Sequence, residues 1–217
     1  MEDIQTSYRY FHAGELFSVK HLTGNLELAR AISNESGGRY TAVLPQDLEI
    51  GHSRTSAIRD ADLLALLSAD VALFNFDGPE LDSGTVVEFI FAKFADIPAV
   101  LLRTDFRRGG DNHHDPWNLM VSDWPRTEKV ILNGMDLYHA TRQRQGERHT
   151  EPTLRNVARQ VIEAFDSVLQ QPVVLPADLR DAAYRWLSMA PGFGLTPAEI
   201  GARFNDILTG KIDRRLL

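Results

Sequence analysis

Two acids stand at the start of a run that is otherwise almost wholly apolar, Asp82 and Glu88 in LDSGTVVEFIFAKFADIPAV, Leu81 to Val100. A helix beginning near Ser83 turns Val86, Val87, Ile90, Phe91 and Phe94 toward a core and leaves Glu88 above the small residues Ala92 and Ala95 on another face, beside free space. In a first helical turn the macrodipole favours the carboxylate anion, by about 0.3 to 1 kcal/mol where exposed. An ionised carboxylate beside space suits a nucleophile. Structure alone also accounts for both acids: Thr85-x-x-Glu88 fits a capping box, and Asp82 before Ser-Gly fits an N-cap or turn. A third acid, Asp62 in RDADLLALLSAD, has Ile58 and Leu66 as helical neighbours. An acid against an apolar face has a raised pKa and can deliver a proton, whereas a solvated charge is the plainer reading. Asp60 falls on another side and reads as such a charge.

The elements that must position these acids alternate. YRYFHAG, RYTAVLP, DVALFNF, PAVLLRT and KVILN are short runs rich in β-branched, aromatic or other apolar residues and read as strands. Between them HLTGNLELARAISNESGG, SRTSAIRDADLLALLSAD and SGTVVEFIFAKFAD have helical spacing. Such alternation predicts a doubly wound parallel sheet of five strands with helices on both faces, and ligands beyond the carboxyl ends of the strands. The tract HATRQRQGERH reads as a linker. Beyond it, TEPTLRNVARQVIEAFDSVL, PADLRDAAYRWLSM and TPAEIGARFNDIL predict three helices, the last opening on a Thr196-x-x-Glu199 capping box. The division expected is an α/β catalytic domain over residues 1–140 and a C-terminal helical extension over 150–217.

Composition narrows the chemistry. The chain has 217 residues and a net charge of -7, the wrong sign for a nucleic-acid polymer or an anionic membrane. It has no cysteine, so thiolate nucleophiles, disulfides and Cys-based zinc sites are excluded. The first residues lack the basic-then-apolar order of a signal peptide, and Lys93 and Asp96 interrupt the longest apolar stretch, so a cytoplasmic protein is expected. Gly37-Gly38 and Gly109-Gly110 form no dinucleotide fingerprint. His113-His114-Asp115 invites a metal reading, but adjacent loop histidines seldom serve one ion and no further ligand has useful spacing.

Taken in order, YFHAGELF, DADLLALLSADVALFNFDG, DSGTVVEFIFA and DPWNLM resemble the motif series of the nucleoside 2-deoxyribosyltransferases, over about Tyr8 to Asn133. The resemblance implies a flavodoxin- or Rossmann-like core and an enzyme that needs neither metal nor cofactor. Its substrates would be a 2′-deoxynucleoside and a free nucleobase. It makes Glu88 the nucleophile that attacks C1′ and forms a covalent deoxyribosyl-enzyme, Asp62 the acid for the departing base, and Tyr10 the hydroxyl that orients the nucleophile. Asp82 would receive the sugar 5′-hydroxyl. Asn118 and Met120 would reach into the neighbouring subunit's pocket, which implies a homo-oligomer built on dimers, or a hexamer, with shared sites. Gln46 falls near a base-contacting region, and Gly14 and Phe17 lie in the first motif as substrate contacts. Asp77 is a reserve sugar contact. The stretch RTDFRRGGDNHH does not map onto the family pattern.

Three functions follow from these residues. The first is transfer of 2-deoxyribose between purine or pyrimidine bases with retention. The second is hydrolysis of a 2′-deoxynucleoside 5′-monophosphate, which the carboxylates Glu15 and Asp82 at the 5′ end disfavour by repelling a dianion. The third is a non-catalytic nucleoside-binding module, which has no use for the whole set Tyr10, Asp62, Asp82, Glu88 and Asn118.

Overall fold

A computed structural model describes residues 6–48, 55–109, 115–146, 150–189 and 196–217. Five strands, β1 (Tyr8–Ala13), β2 (Tyr40–Val43), β3 (Val71–Asn75), β4 (Ala99–Arg103) and β5 (Thr127–Ile131), form one parallel sheet in the order β2-β1-β3-β4-β5. The helices are α1 (Val19–Glu35), α2 (Thr55–Ser68), α3 (Ser83–Phe94), α4 (Gly134–Gln145), α5 (Thr150–Leu169), α6 (Arg180–Met189) and α7 (Pro197–Asp213). The expected doubly wound α/β fold is therefore present. Its order reverses between β1 and β3, where the register pairs Tyr10 with Val71 and Ala13 with Phe74. That reversal leaves a crevice at the carboxyl ends of the two strands.

Strand alternation sorts the core into two layers. Phe11, Ala13, Ala72, Phe74 and Leu101 meet α2, α3 and the last two helices, while Tyr10, Leu73, Val100 and Leu102 meet α1 and α5. The three C-terminal helices supply both layers. Val157, Ala158, Val161, Phe165 and Val168 of α5 are buried against the sheet beside α1. Tyr184 and Leu187 of α6 with Ile200, Phe204 and Leu208 of α7 are buried on the other side. Polar contacts fasten them: the Tyr184 hydroxyl donates to the Ala95 carbonyl at 3.0 Å, Lys211 Nζ donates to the Ala69 carbonyl, and Arg214 pairs with Asp70. The burial that takes Lys211 out of water holds its ammonium down at about 8.

One expected loop is a helix. HATRQRQGERH, read as a linker, begins inside α4, whose Asn133 N-cap accepts from the backbone N–H groups of Met135 and Asp136. Among α4 residues Thr141 alone is buried, so the helix carries no apolar stripe for periodicity to find. Arg142 and Arg144 in its last turn complement the negative end of the helix dipole. Residues 147–149 of that tract lie outside the described residues.

Candidate active site

The acids are placed by short-range constraints. Asp82 is the N-cap of α3: its Oδ2 accepts from both the backbone N–H and the hydroxyl of Thr85, each at 2.8 Å. A Cβ on Gly84 would stand 3.2 Å from that oxygen, so the glycine keeps the cap open. One turn further on, Glu88 shares a helix face with Thr85 and Ala92, both buried. Asp62 comes from α2, half-buried, with Oδ1 shut off from solvent. Burial, followed by the charges of Asp62 and Asp82, pushes the Glu88 carboxyl up to about 8. Three carboxylates from α2, the cap of α3 and its second turn thus act on one another, and at neutral pH Glu88 holds a proton. Asp60 is tied to Arg59 at 2.6 Å, away from this cluster.

Two expectations about α3 are corrected. Its buried face is Thr85, Phe89 and Ala92, whereas Val87 and Phe94, expected to face the sheet, are 61% and 58% exposed. Phe89 takes the sheet-facing place by packing edge-on to Phe74, Phe76 and Trp124. Glu88 consequently looks inward, and it lies in the second turn, beyond the strongest reach of the helix dipole. Desolvation and like charge outweigh any anion preference there.

Tyr10 is not brought to Glu88. On β1 it points to the face opposite Phe11 and Ala13, where its ring packs 5.1 Å from that of Phe165 and 5.9 Å from that of His12. Its hydroxyl is buried with no hydrogen-bond partner among the described residues, and burial drives its pKa far above the ordinary tyrosine value. The period of two in a strand decides the matter: a residue in the α1/α5 layer cannot also face α3.

Asn118 and Met120 lie on the outer surface. Asn118 caps a 3₁₀ turn, Leu119–Val121, by accepting from Met120 N–H at 2.9 Å, and Met120 and Leu119 are 65% and 54% exposed. The turn is anchored by buried Trp117, whose Nε1 donates to the Ser122 hydroxyl, and by Trp124, whose Nε1 donates to the Met120 carbonyl. Trp124 also stands 6.3 Å from Phe94, so the turn and the outer row of α3 form one exposed apolar surface. Phe17 is exposed at the entry to α1. Gly14 is demanded by close approach, since a Cβ there would meet that of Asn75 at 3.1 Å. Gln46 spends its amide N–H on the Leu22 carbonyl at 3.1 Å, and its Oε1 is buried.

Asp77 is a loop fastener. It accepts from Asp105 N–H at 2.8 Å, from the Thr104 hydroxyl at 2.8 Å and from Thr104 N–H. Beside it, fully buried Arg103 donates to the carbonyls of Phe76, Gly78 and Arg107. Together they stitch the β3–α3 connection, which leads into Asp82, to the end of β4. An arginine ending a strand carries no sequence signal of that role. Asp115 is buried and paired with Lys129 at 2.9 Å, while His113 and His114 lie outside the described residues. Among the described residues no group of three His, Asp or Glu side chains is arranged to hold a metal ion, and no helix is long and apolar enough to cross a membrane.

A five-stranded parallel sheet with an acid cluster shared by α2 and the start of α3 defines a class of α/β protein, and comparison with known proteins narrows it. The sequence profile of the nucleoside 2-deoxyribosyltransferase family matches residues 10–120, which include Asp62, Asp82, Glu88 and Asn118. The chain belongs to that family. A conserved protein from Enterococcus faecalis V583 superposes with a TM-score of 0.51 at 25% identity, over 64% of this chain and 99% of that one. A 2-deoxyribosyltransferase from Leishmania mexicana gives 0.48 at 17% identity over 64% and 99%. The 2-deoxyribosyltransferase of Bacillus psychrosaccharolyticus gives 0.41 at 18% over 54% and 81%. No curated protein matches the chain.

Proposed function

We propose that this protein transfers 2-deoxyribose between nucleobases through a covalent intermediate on Glu88. The observation that carries the reading is the gathering of Asp62 and Asp82 around a half-buried Glu88 that is held protonated up to about pH 8. A cluster that stores one proton among close carboxylates suits a reaction needing one anion and one acid. In the productive form the proton resides on Asp62. Glu88 then attacks C1′, the N-glycosidic bond breaks, and Asp62 passes the proton to the departing base. The incoming base attacks C1′ from the face the first base left, displaces Glu88 and returns its proton to Asp62, so two inversions give retention. Tyr10 has no part in this scheme, given its place in the other layer.

Asp82 receives the sugar 5′-hydroxyl through the oxygen not engaged by Thr85. Its charge repels a 5′-phosphate, which favours the free nucleoside over a monophosphate. The exposed surface of Val87, Phe94, Leu119 and Met120 supports pairing with a second copy, in which Asn118 and Met120 serve the neighbour's site. Incubation with deoxyinosine and adenine tests the reading: deoxyadenosine should form without added metal or cofactor. Release of hypoxanthine at the same rate with and without adenine, and no deoxyadenosine, would replace transfer by hydrolysis.

A further inference from the structure

A cleft of about 720 Å³ lies at the carboxyl ends of β3 and β4, walled by α1, α4 and the start of α5. None of its walls comes from α2 or α3, so Asp62, Asp82 and Glu88 stand outside it, in the other layer. Its size is that of a small-molecule site. The floor is apolar, made by Leu28, Leu102, Leu154 and Val157, and the aromatic rings of Phe106 and Tyr138 stand at 56% and 38% exposure on its rim. Its acids are already engaged: Glu15 with His21 at 3.3 Å, Asp105 with Arg107, and Asp77 with the loop N–H groups. Lys20, the lining cation outside these pairs, is exposed at the rim, so the interior of the cleft offers little to an ionic ligand.

Two amides set the chemistry. Asn25, 9% exposed, donates through Nδ2 to the Glu15 carbonyl at 3.1 Å, which fixes that atom as the nitrogen and leaves Oδ1 as an acceptor. Asn75 accepts through Oδ1 from Asp77 N–H at 3.1 Å, which fixes that atom as the oxygen and leaves Nδ2 as a donor. Both side chains line the cleft. An acceptor and a donor over an apolar floor, with aromatic rings at the rim, fit a flat molecule carrying a donor beside an acceptor on one edge. We infer that this cleft is a second ligand site, for a neutral planar heterocycle with a lactam-type edge, whose N–H meets Asn25 Oδ1 and whose carbonyl meets Asn75 Nδ2. The inference stands on these side chains and is independent of the role given to Glu88.

Hypoxanthine, which has such an edge, is the probe, and the methyl signals of Leu28, Leu102, Leu154 and Val157 are the readout in the full-length protein. Saturable shifts of these methyls are expected in the wild type and, undiminished, in Glu88→Gln. Asn75→Asp keeps the bond from Asp77 N–H but removes the donor, and should weaken binding at least about tenfold, as loss of a buried hydrogen bond to a fixed partner does. 1-Methylhypoxanthine, lacking the N–H, should bind comparably poorly, and Leu154→Trp should block the cleft without touching either amide. Absence of shifts at millimolar hypoxanthine, or their loss in Glu88→Gln, overturns the second site. Equal binding of hypoxanthine and its 1-methyl form by the wild type, or of hypoxanthine by Asn75→Asp, overturns the ligand class.

Discussion

Replacing Glu88 by Gln should make the protein more stable, and by an amount that depends on pH. The ordinary glutamate pKa of 4.5 describes the unfolded chain, and burial with Asp62 and Asp82 nearby lifts it to about 8 in the fold. Between those values the native state binds the extra proton, so wild-type stability falls as pH rises, and the loss is complete above the folded pKa. At about 1.4 kcal/mol for each pH unit separating the two values, ionised Glu88 costs on the order of 5 kcal/mol. Glutamine has nearly the same shape and no charge to bury, so it should match the wild type near pH 4.5 and exceed it by that order at pH 8.5. Urea unfolding of both proteins across this range, without substrate, measures the difference directly, provided the m-values agree. A gap that changes by less than about 1 kcal/mol between the two extremes would refute the buried acid cluster, since one pH unit of pKa displacement is worth more than that.

Activity variants bear on the remaining acids. Asp62→Asn should slow transfer most for nucleosides whose base must be protonated to leave, measured against an activated nucleoside with a good leaving group; equal slowing of both would remove the acid role. In the variant no Asp62 takes up the Glu88 proton, so residual activity should rise with pH as Glu88 ionises, whereas wild-type activity should fall as the cluster loses its proton near pH 8. Asp82→Ser can still cap α3, so stability should stay within about 1 kcal/mol. It should weaken the free nucleoside and improve tolerance of a 5′-phosphate; if the wild type already prefers the monophosphate in competition, the 5′-hydroxyl role fails. Glu88→Ala and Asn118→Ala, each impaired alone, should regain activity when mixed and allowed to exchange subunits, with about a quarter of sites intact at equal amounts. Activity that stays at the mean of the separate mutants, despite proven exchange, would place Asn118 in its own chain's site.

The sequence by itself determined the sheet and most of its helices, because apolar runs of period two and 3.6 bounded by Gly, Pro and capping residues are local signals. α5 spans the stretch Thr150–Leu169 read from its pattern, and Thr196 with Glu199 forms the capping box their spacing required. The motifs holding Asp62, Asp82, Glu88 and Asn118 were equally legible, as residue types at fixed intervals. What tertiary structure decided was which way side chains face. Val87 and Glu88 are neighbours in sequence, and only the packing of Phe89 against Phe74 and Phe76 settles that Glu88 turns inward and Val87 outward. Tyr10 sits in a motif with the proper residues around it, yet strand alternation and the arrival of Phe165 from a distant helix place it in the other layer. α4 lacked any pattern because almost none of it is buried, and the three C-terminal helices gave no local sign that they cover both faces of the sheet. The protonation of Glu88 belongs to the same class: it arises from burial and from charges on another helix and at a helix cap, both set by long-range packing.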